Sequence, residues 1–222
     1  MSDYWTAIDT LHQVAGELGL AKPATITGLQ DIQSVQLLAL LNSAGNELLM
    51  YYTWSQFRKE WAFETVPNVG SYTVPADWLY FLDQTQWDRT NRWPLLGPKS
   101  AQEWAWLKGS LVAALPRQRF RVVGDQFLIW PTPVGTTAPF TFAMEYMSRN
   151  WVIDSTGQPA SMIYKDGDII QYNPWLMIKF VKMKFYELKG FQTDAVQGDF
   201  LRVFNSLTGQ DTGAAILSLT PG

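Results

Sequence analysis

Cysteine is absent from the 222 residues, and histidine occurs once, as His12. The first absence excludes disulfides, thiolate nucleophiles and cysteine-ligated zinc. The second leaves no paired-histidine metal site and forces any histidine-based triad through one imidazole. Charge is scarce as well: Asp, Glu, Lys and Arg make up 17% of the chain, against roughly a quarter in an average soluble protein. There is no glycine-rich phosphate loop, no Gly-x-Ser-x-Gly elbow and no His-Glu-x-x-His. Apolar runs such as Leu37-Leu38-Ala39-Leu40-Leu41 fall far short of the ~20 residues that span a bilayer, so no membrane segment is expected. The first residues, Met1 to Trp5, carry an acid where a secretion signal needs a basic stretch, and no apolar region follows. Synthesis in the cytoplasm is the expectation.

What is present is aromatic. The chain holds 11 Trp, 9 Tyr and 12 Phe, and 47% of its residues are hydrophobic. Large aromatics with little charge are the composition of a surface that becomes covered. The 17 basic and 20 acidic residues give a net charge of −3 and a pI near 5.2. That balance speaks against a sequence-reading or tightly held nucleic-acid partner, but it is compatible with passing contact with DNA.

Periodicity divides the chain into helical ends and a β-rich middle. Trp5, Ile8, Leu11, Ala15 and Leu18 mark one helix face that Gly19 and Pro23 terminate, with His12 beside the stripe as a packing residue. A long helix is expected over residues 31–57, and Gly45 inside it implies that a backbone or a bulky ring packs close. From Trp61 the period falls to two. Strands are expected at Tyr72-Thr73-Val74 and over 79–88, and Trp93 to Pro98 reads as an irregular crossing. A short helix should follow, capped by Ser100 with Glu103 as its capping-box partner. Arg121-Val122-Val123 and Gln126 to Trp130, joined by Gly124-Asp125, read as a hairpin with a type II′ loop. Phe140, Phe142, Met144 and Tyr146 alternate as one buried strand face. Helix period returns at Asn173-Pro174, with Ile178, Val181, Phe185 and Leu188 facing inward until Gly190, and a last helix is expected over 193–207. The fold class is α+β: a helical bundle from both chain ends (residues 1–58 and 169–208), an inserted antiparallel β-sandwich or barrel-like domain (59–168), and an extended C-terminal tail (209–222).

Few constellations carry chemistry. Glu60, Glu64, Asp77, Asp83, Asp88 and Glu103 lie in or near Trp-rich segments, a composition that glycan hydrolysis by paired carboxylates can use; capping and solvation explain them as well. Asp166-Gly167-Asp168 reads as a turn, because one Asp-x-Asp lacks the remaining oxygen ligands of a calcium loop. Arg117, Arg119 and Arg121 alternate, so they share one face of a strand. Lys179, Lys182 and Lys189 share one helix face. Both stripes are candidates for phosphates or acidic partner surfaces. No catalytic, cofactor or metal residue is assigned.

Taken in order, several segments resemble a known family. They are Leu37 to Leu49, Trp54, Trp61-Ala62-Phe63, Ser71-Tyr72-Thr73-Val74-Pro75-Ala76-Asp77-Trp78, Trp87-Asp88-Arg89-Thr90, Pro94-Leu95-Leu96-Gly97-Pro98, Gln102-Glu103-Trp104, Trp130-Pro131-Thr132-Pro133 and Glu145 to Trp151. Together, over about residues 34–190, they resemble bacteriophage head-to-tail connector adaptor proteins, the broad group that includes tail tubular protein A of short-tailed phages. The resemblance implies a structural virion protein without a cofactor, located at the head–tail junction. It implies a ring, commonly of twelve copies, beneath the portal protein. Such a ring extends the DNA channel, lets double-stranded DNA pass non-specifically, and presents a docking surface to a downstream nozzle or stopper protein. It also implies that the C-terminal tail docks on the portal, here through Ile216, Leu217 and Leu219. The alternative reading is a peptidoglycan-cleaving or glycan-binding virion protein that uses carboxylates and Trp side chains.

Overall fold

Residues 4–28, 31–109, 117–135 and 139–211 are described by the computed structural model. Among them are the helices α1 (Ala7–Leu18), α2 (Ile32–Tyr51), α3 (Ala101–Gly109), α4 (Pro174–Lys189) and α5 (Asp194–Asp211). The strands are β1 (Arg58–Glu64), β2 (Ser71–Thr73), β3 (Trp78–Phe81), β4 (Trp87–Asp88), β5 (Trp93–Pro94), β6 (Arg119–Val123), β7 (Gln126–Trp130), β8 (Thr141–Ser148), β9 (Val152–Ile153), β10 (Pro159–Ala160) and β11 (Ile169–Ile170). They form three antiparallel sheets, none closed into a barrel, so the barrel-like option falls away. The chain divides into two units, Met1–Phe57 with Arg149–Gly222, and Arg58–Ser148. Residues 149–168, placed by the sequence in the inserted region, group with the helices; they hold β9 and β10 of the small sheet β10-β9-β11.

In the helical unit, Thr6 caps α1 by accepting the Asp9 N–H, and Gly19 ends it at φ 69°. Its buried face is Ala7, Thr10, Leu11, Val14 and Ala15, turned from the expected Trp5–Ile8–Leu18 stripe because the helix packs on both α2 and α4. Thr10 tolerates burial because its hydroxyl bonds back to the Thr6 carbonyl at 3.0 Å. Asp31 caps α2, accepting from the N–H and hydroxyl of Ser34, each at 2.9 Å. This helix stops at Tyr51, six residues before the expected end. Tyr52 is extended, and the indole N–H of Trp54 folds back to take the Leu48 carbonyl at 2.8 Å, replacing the hydrogen bond a further turn would supply.

Gly45 fulfils its expectation. Trp151 is fully buried, and a β-carbon on Gly45 would stand 2.3 Å from its Cζ2. The contact is fixed from both sides: Trp151 donates to the Asn46 side chain at 3.1 Å, and the Tyr172 hydroxyl donates to the Gly45 carbonyl at 3.0 Å. Helix α4 begins and ends as expected, with Asn173 as cap, Pro174 in the first turn and Gly190 at φ 68°. Ile178, Val181 and Phe185 are buried, but Leu188 is 55% exposed. Leu176, Met177 and Phe180 are buried as well, because α1, α2 and α5 all pack against this helix. Helix α5 runs to Asp211, so residues 209–211 are helix rather than tail.

In the other unit β8 is the central strand. β1 lies along one edge of it, with Trp61 opposite Met144 and Phe63 opposite Phe142. β3 and then β4 share the other edge. The strand expected over 79–88 is therefore two strands. Between them Gln84 takes φ 60°, and the Thr85 hydroxyl and Gln86 amide turn back onto the Leu82 carbonyl at 2.8 and 2.6 Å. The second sheet runs β2-β7-β6. Its β6–β7 hairpin pairs Val123 with Gln126 and puts Gly124 at φ 59°, as the sequence predicts for a type II′ loop. Phe142 and Met144 of one sheet and Phe120, Phe127 and Ile129 of the other belong to one apolar cluster, with Trp61, Phe63 and Phe81 packed against it. Trp61, Phe63 and Phe81 each meet the ring of Phe127 at 5.6–6.2 Å.

Asp77 ties β1, β3 and β8 together. Its carboxylate accepts from Lys59 Nζ at 2.7 Å, the Tyr146 hydroxyl at 2.9 Å and the Ser148 hydroxyl at 2.8 Å. Burial opposes its charge, but these three donors outweigh burial and hold its carboxyl below the usual range. Burial and the adjacent carboxylate raise the Tyr146 phenol.

Two predictions follow from this packing. Gly45→Ala should destabilise the protein by about 2–3 kcal/mol, since the new methyl group overlaps a ring that is held on both edges; a denaturant midpoint lowered without a change of slope is the expected signature. Asp77 has a depressed folded-state pKa, so its contribution is complete above its unfolded value of about 3.9 and fades as pH falls through the folded value. Asp77→Asn should cost about 1–2 kcal/mol at pH 7, and the gap to the wild type should stay constant down to about pH 5 and narrow in melts run at lower pH.

Candidate interaction surfaces

The residues singled out from sequence separate into groups once their partners are known. The acids divide first. Asp77 holds the three strands described above. Asp88, fully buried, accepts from the N–H groups of Thr90 and Asn91 at 2.9 and 3.1 Å and from the Asn91 amide at 2.7 Å. Glu103 and Ser100 form the reciprocal capping box expected at α3, at 3.1 and 3.2 Å. Asp83 accepts the N–H of Gln84. In the Asp166-Gly167-Asp168 turn, Asp166 accepts from Thr25 and the Ile26 N–H, while Asp168 accepts the N–H groups of Ser155, Tyr164 and Lys165 at 2.7–3.0 Å. Apart from Asp77, whose donors are side chains, these carboxylates fasten backbone. No group of three or more His, Asp or Glu able to hold a metal occurs among the described residues. His12 Nε2 donates to the Pro23 carbonyl at 2.7 Å, the packing role expected of it.

The two basic stripes differ sharply. Lys179 and Lys182 both reach Glu17 at 3.1 Å, and their side chains are only 24% and 21% exposed. Burial raises the Glu17 carboxyl, but the two ammonium groups and the Gln13 amide outweigh it and hold the group charged. Lys184, which the sequence did not single out, pairs with Glu47 at 2.6 Å. Lys189 is exposed, with its ammonium 5.3 Å from the Phe185 ring. The lysine charge on α4 is thus largely matched inside the helical unit. The signal for this was present in sequence as Glu17 and Glu47, but their meeting with α4 is a tertiary event.

Arg117, Arg119 and Arg121 have no ion pair among the described residues. Arg119 stands opposite Trp130 and Arg121 opposite Leu128 on the β6–β7 pair, and the Arg117 guanidinium sits 5.7 Å from the Trp93 ring. Because Phe120 and Val122 face the core, Arg119 and Arg121 occupy the outer side of that sheet; β6 starts only at Arg119, so Arg117 lies before the strand rather than on its face. The outer side of the other sheet carries Glu60, Ala62 and Glu64 of β1 and Ala143 and Glu145 of β8. Glu60 and Glu145 are directly opposite each other, a like-charge pair that a sheet tolerates at a cost. Arg89 offsets part of it, reaching Glu60 at 2.8 Å. Above the small floor of Ala143, the residues Glu60, Glu145, Thr85, Arg89 and Trp87 line a pocket of about 340 Å³, and Trp87 is 42% exposed.

A third surface lies in the helical unit. The Asp211 carboxylate, at the end of α5, accepts the N–H of Ser55 at 3.0 Å and the hydroxyl of the same residue. Beside it are two grooves that share Gln56, Asn173 and Leu207. One is lined by Trp54, Tyr172 and Asp211, the other by Tyr4, Trp5 and Trp175, with volumes of about 240 and 560 Å³. The portal-docking residues Ile216, Leu217 and Leu219 lie outside the described residues.

No helix among the described residues is long and apolar enough to cross a membrane. No curated protein matches the chain. A family model described as SU10 adaptor protein does match it, over residues 6–214. That span takes in both ends of the helical unit, the whole β-rich unit between them, and every segment on which the resemblance to phage head-to-tail adaptors rests. The chain belongs to the SU10 adaptor family, a family of phage head–tail adaptors that are structural proteins in general.

Proposed function

We propose that this protein is a ring-forming subunit of the phage head-to-tail connector. It binds beneath the portal protein, commonly as twelve copies, extends the DNA channel, and offers its far side to the next tail component, a nozzle or a stopper. It is then a virion component made in the host cytoplasm. The observation that carries the reading is the family match across almost the whole chain. The composition supports it: a ring of identical copies buries two different faces on each subunit, which favours aromatic, charge-poor surface. A net charge of −3 suits a channel that must let DNA slide, because each phosphate contact adds grip.

Portal docking falls to the residues after Asp211. Helix α5 is anchored at Ser55, so the eleven residues that follow in the sequence start from a fixed point and reach about 35–40 Å when extended. They carry no charged side chain, and Ile216, Leu217 and Leu219 fit an apolar groove or an added strand on the portal. Of the acids named for glycan hydrolysis, Asp77, Asp88 and Glu103 are held in structural hydrogen bonds, while Glu60 stands opposite Glu145 beside Trp87.

The test mixes the purified chain with portal rings from the same genome, followed by negative-stain imaging and mass determination. The full chain should add a collar of ring-like stoichiometry to one end of the portal. A chain ending at Asp211, which keeps the helix and its anchor, should bind at least 10-fold more weakly. Full affinity of that shortened chain would remove the docking role of the tail, and no collar under any condition with the full chain would overturn the connector reading.

A further inference from the structure

The two outer sides of the β-rich unit differ in charge: one carries Glu60, Glu64 and Glu145, matched in part by Arg58 and Arg89, and the other carries arginines with no ion pair among the described residues. Alternation along the strands fixes this arrangement. Trp61, Phe63, Phe142 and Met144 of the five-stranded sheet and Phe120, Phe127 and Ile129 of the three-stranded sheet meet in one core, so the residues between them point away on opposite sides. One side presents Glu60, Glu64 and Glu145 with the exposed indole of Trp87. The other presents Arg121, with the partly buried Arg119 beside it and Arg117 just before the strand.

We propose that the arginine side of one copy seats on the glutamate side of the next copy, and that this contact sets the head-to-tail order of the ring. The inference rests on the ring reading above and assigns the contact within it. Three features favour a second copy as the occupant. The pocket at Glu60 and Glu145 has the chemistry of a guanidinium site: two carboxylates facing across a strand pair, an indole beside them for stacking, and a floor made shallow by Ala143. Arg89 reaches one of these carboxylates but leaves Glu145 and Glu64 without an ion pair among the described residues. An incoming arginine relieves a like-charge opposition that the fold otherwise carries.

Symmetry then selects the mode of association. A two-fold contact would set glutamates on glutamates or arginines on arginines, whereas a heterologous contact sets each side on its opposite and propagates around a ring.

Charge reversal tests this directly in the portal-mixing experiment. The first chain carries Glu60→Lys and Glu145→Lys. The second carries Arg117→Glu and Arg121→Glu and leaves Arg119 alone, because one of its guanidinium nitrogens is buried. Circular dichroism and thermal melts establish that both are folded. Each alone puts like charge at every junction and should need at least 10-fold more protein to form collars. An equimolar mixture restores opposite charge at every junction of an alternating ring, so collars should return near the wild-type concentration, as they should for one chain carrying all four changes. Collars formed normally by either two-site chain alone, or no rescue on mixing folded chains, would overturn the contact while leaving the ring reading intact; in that case retardation of double-stranded DNA by the wild type, lost in Arg117→Glu/Arg121→Glu, would assign the arginines to phosphate instead. Failure of the wild type to form collars would bring down the ring reading and this contact with it.

Discussion

Trp151 is the largest side chain buried completely, and it fits only because the residue it meets on α2 has no side chain. Its indole occupies the place a β-carbon of Gly45 would take, and its N–H and the Tyr172 hydroxyl hold the α2 backbone at adjacent points. Tyr172 in turn meets Trp54 and Phe57 edge-on at 5.9 and 5.0 Å, and Trp54 meets Phe204 of α5. A single notch in one helix therefore organises a train of rings from the segment that re-enters the helical unit to its last helix. Asp211 stands at the end of that train, bonded to Ser55 next to Trp54. The point from which the final residues depart is fixed by packing that begins at Gly45.

Charge follows a consistent pattern across the two units. Where cations are partly buried, as on α4, acids from α1 and α2 meet them, because a half-buried charge without a partner is costly. Where charges stand on the outer sides of sheets, they are left unmatched or only partly matched. Exposed charges bear little cost in the free subunit, so they can be kept for a partner. Surface charge of opposite sign on two sides favours a head-to-tail contact over a two-fold one in the ring proposed above.

Local signals in the sequence were read well where the physics is local. The Gly124-Asp125 hairpin, the Ser100–Glu103 capping box, the Asn173-Pro174 start of α4 and its end at Gly190 each depend on residues within a few positions, and each is present. Errors arose where a distant partner intervened. Helix α2 ends early because Trp54 turns back on Leu48. The strand expected over 79–88 breaks because both of its halves pair with β8, which lies some sixty residues on. Leu188 continues an apolar stripe in sequence, yet it is exposed because the other helices pack along the earlier turns of α4.

The interaction surfaces show the same division. Composition alone established that this is an aromatic, charge-poor chain with no thiol chemistry and no pair of histidines, the composition of a surface that becomes covered. Alternation placed Arg119 and Arg121 on one side of a strand, and the spacing of Lys179, Lys182 and Lys189 placed them on one side of a helix. Only the tertiary structure could separate the two sets, because whether a cation is available depends on which acids long-range folding brings to it. Glu17, over 160 residues away in sequence, closes on the lysines, and no described acid closes on the arginines. Sequence determined which residues carry charge and in what rhythm; the packing of two sheets on one core decided which charges remain exposed, and on opposite sides.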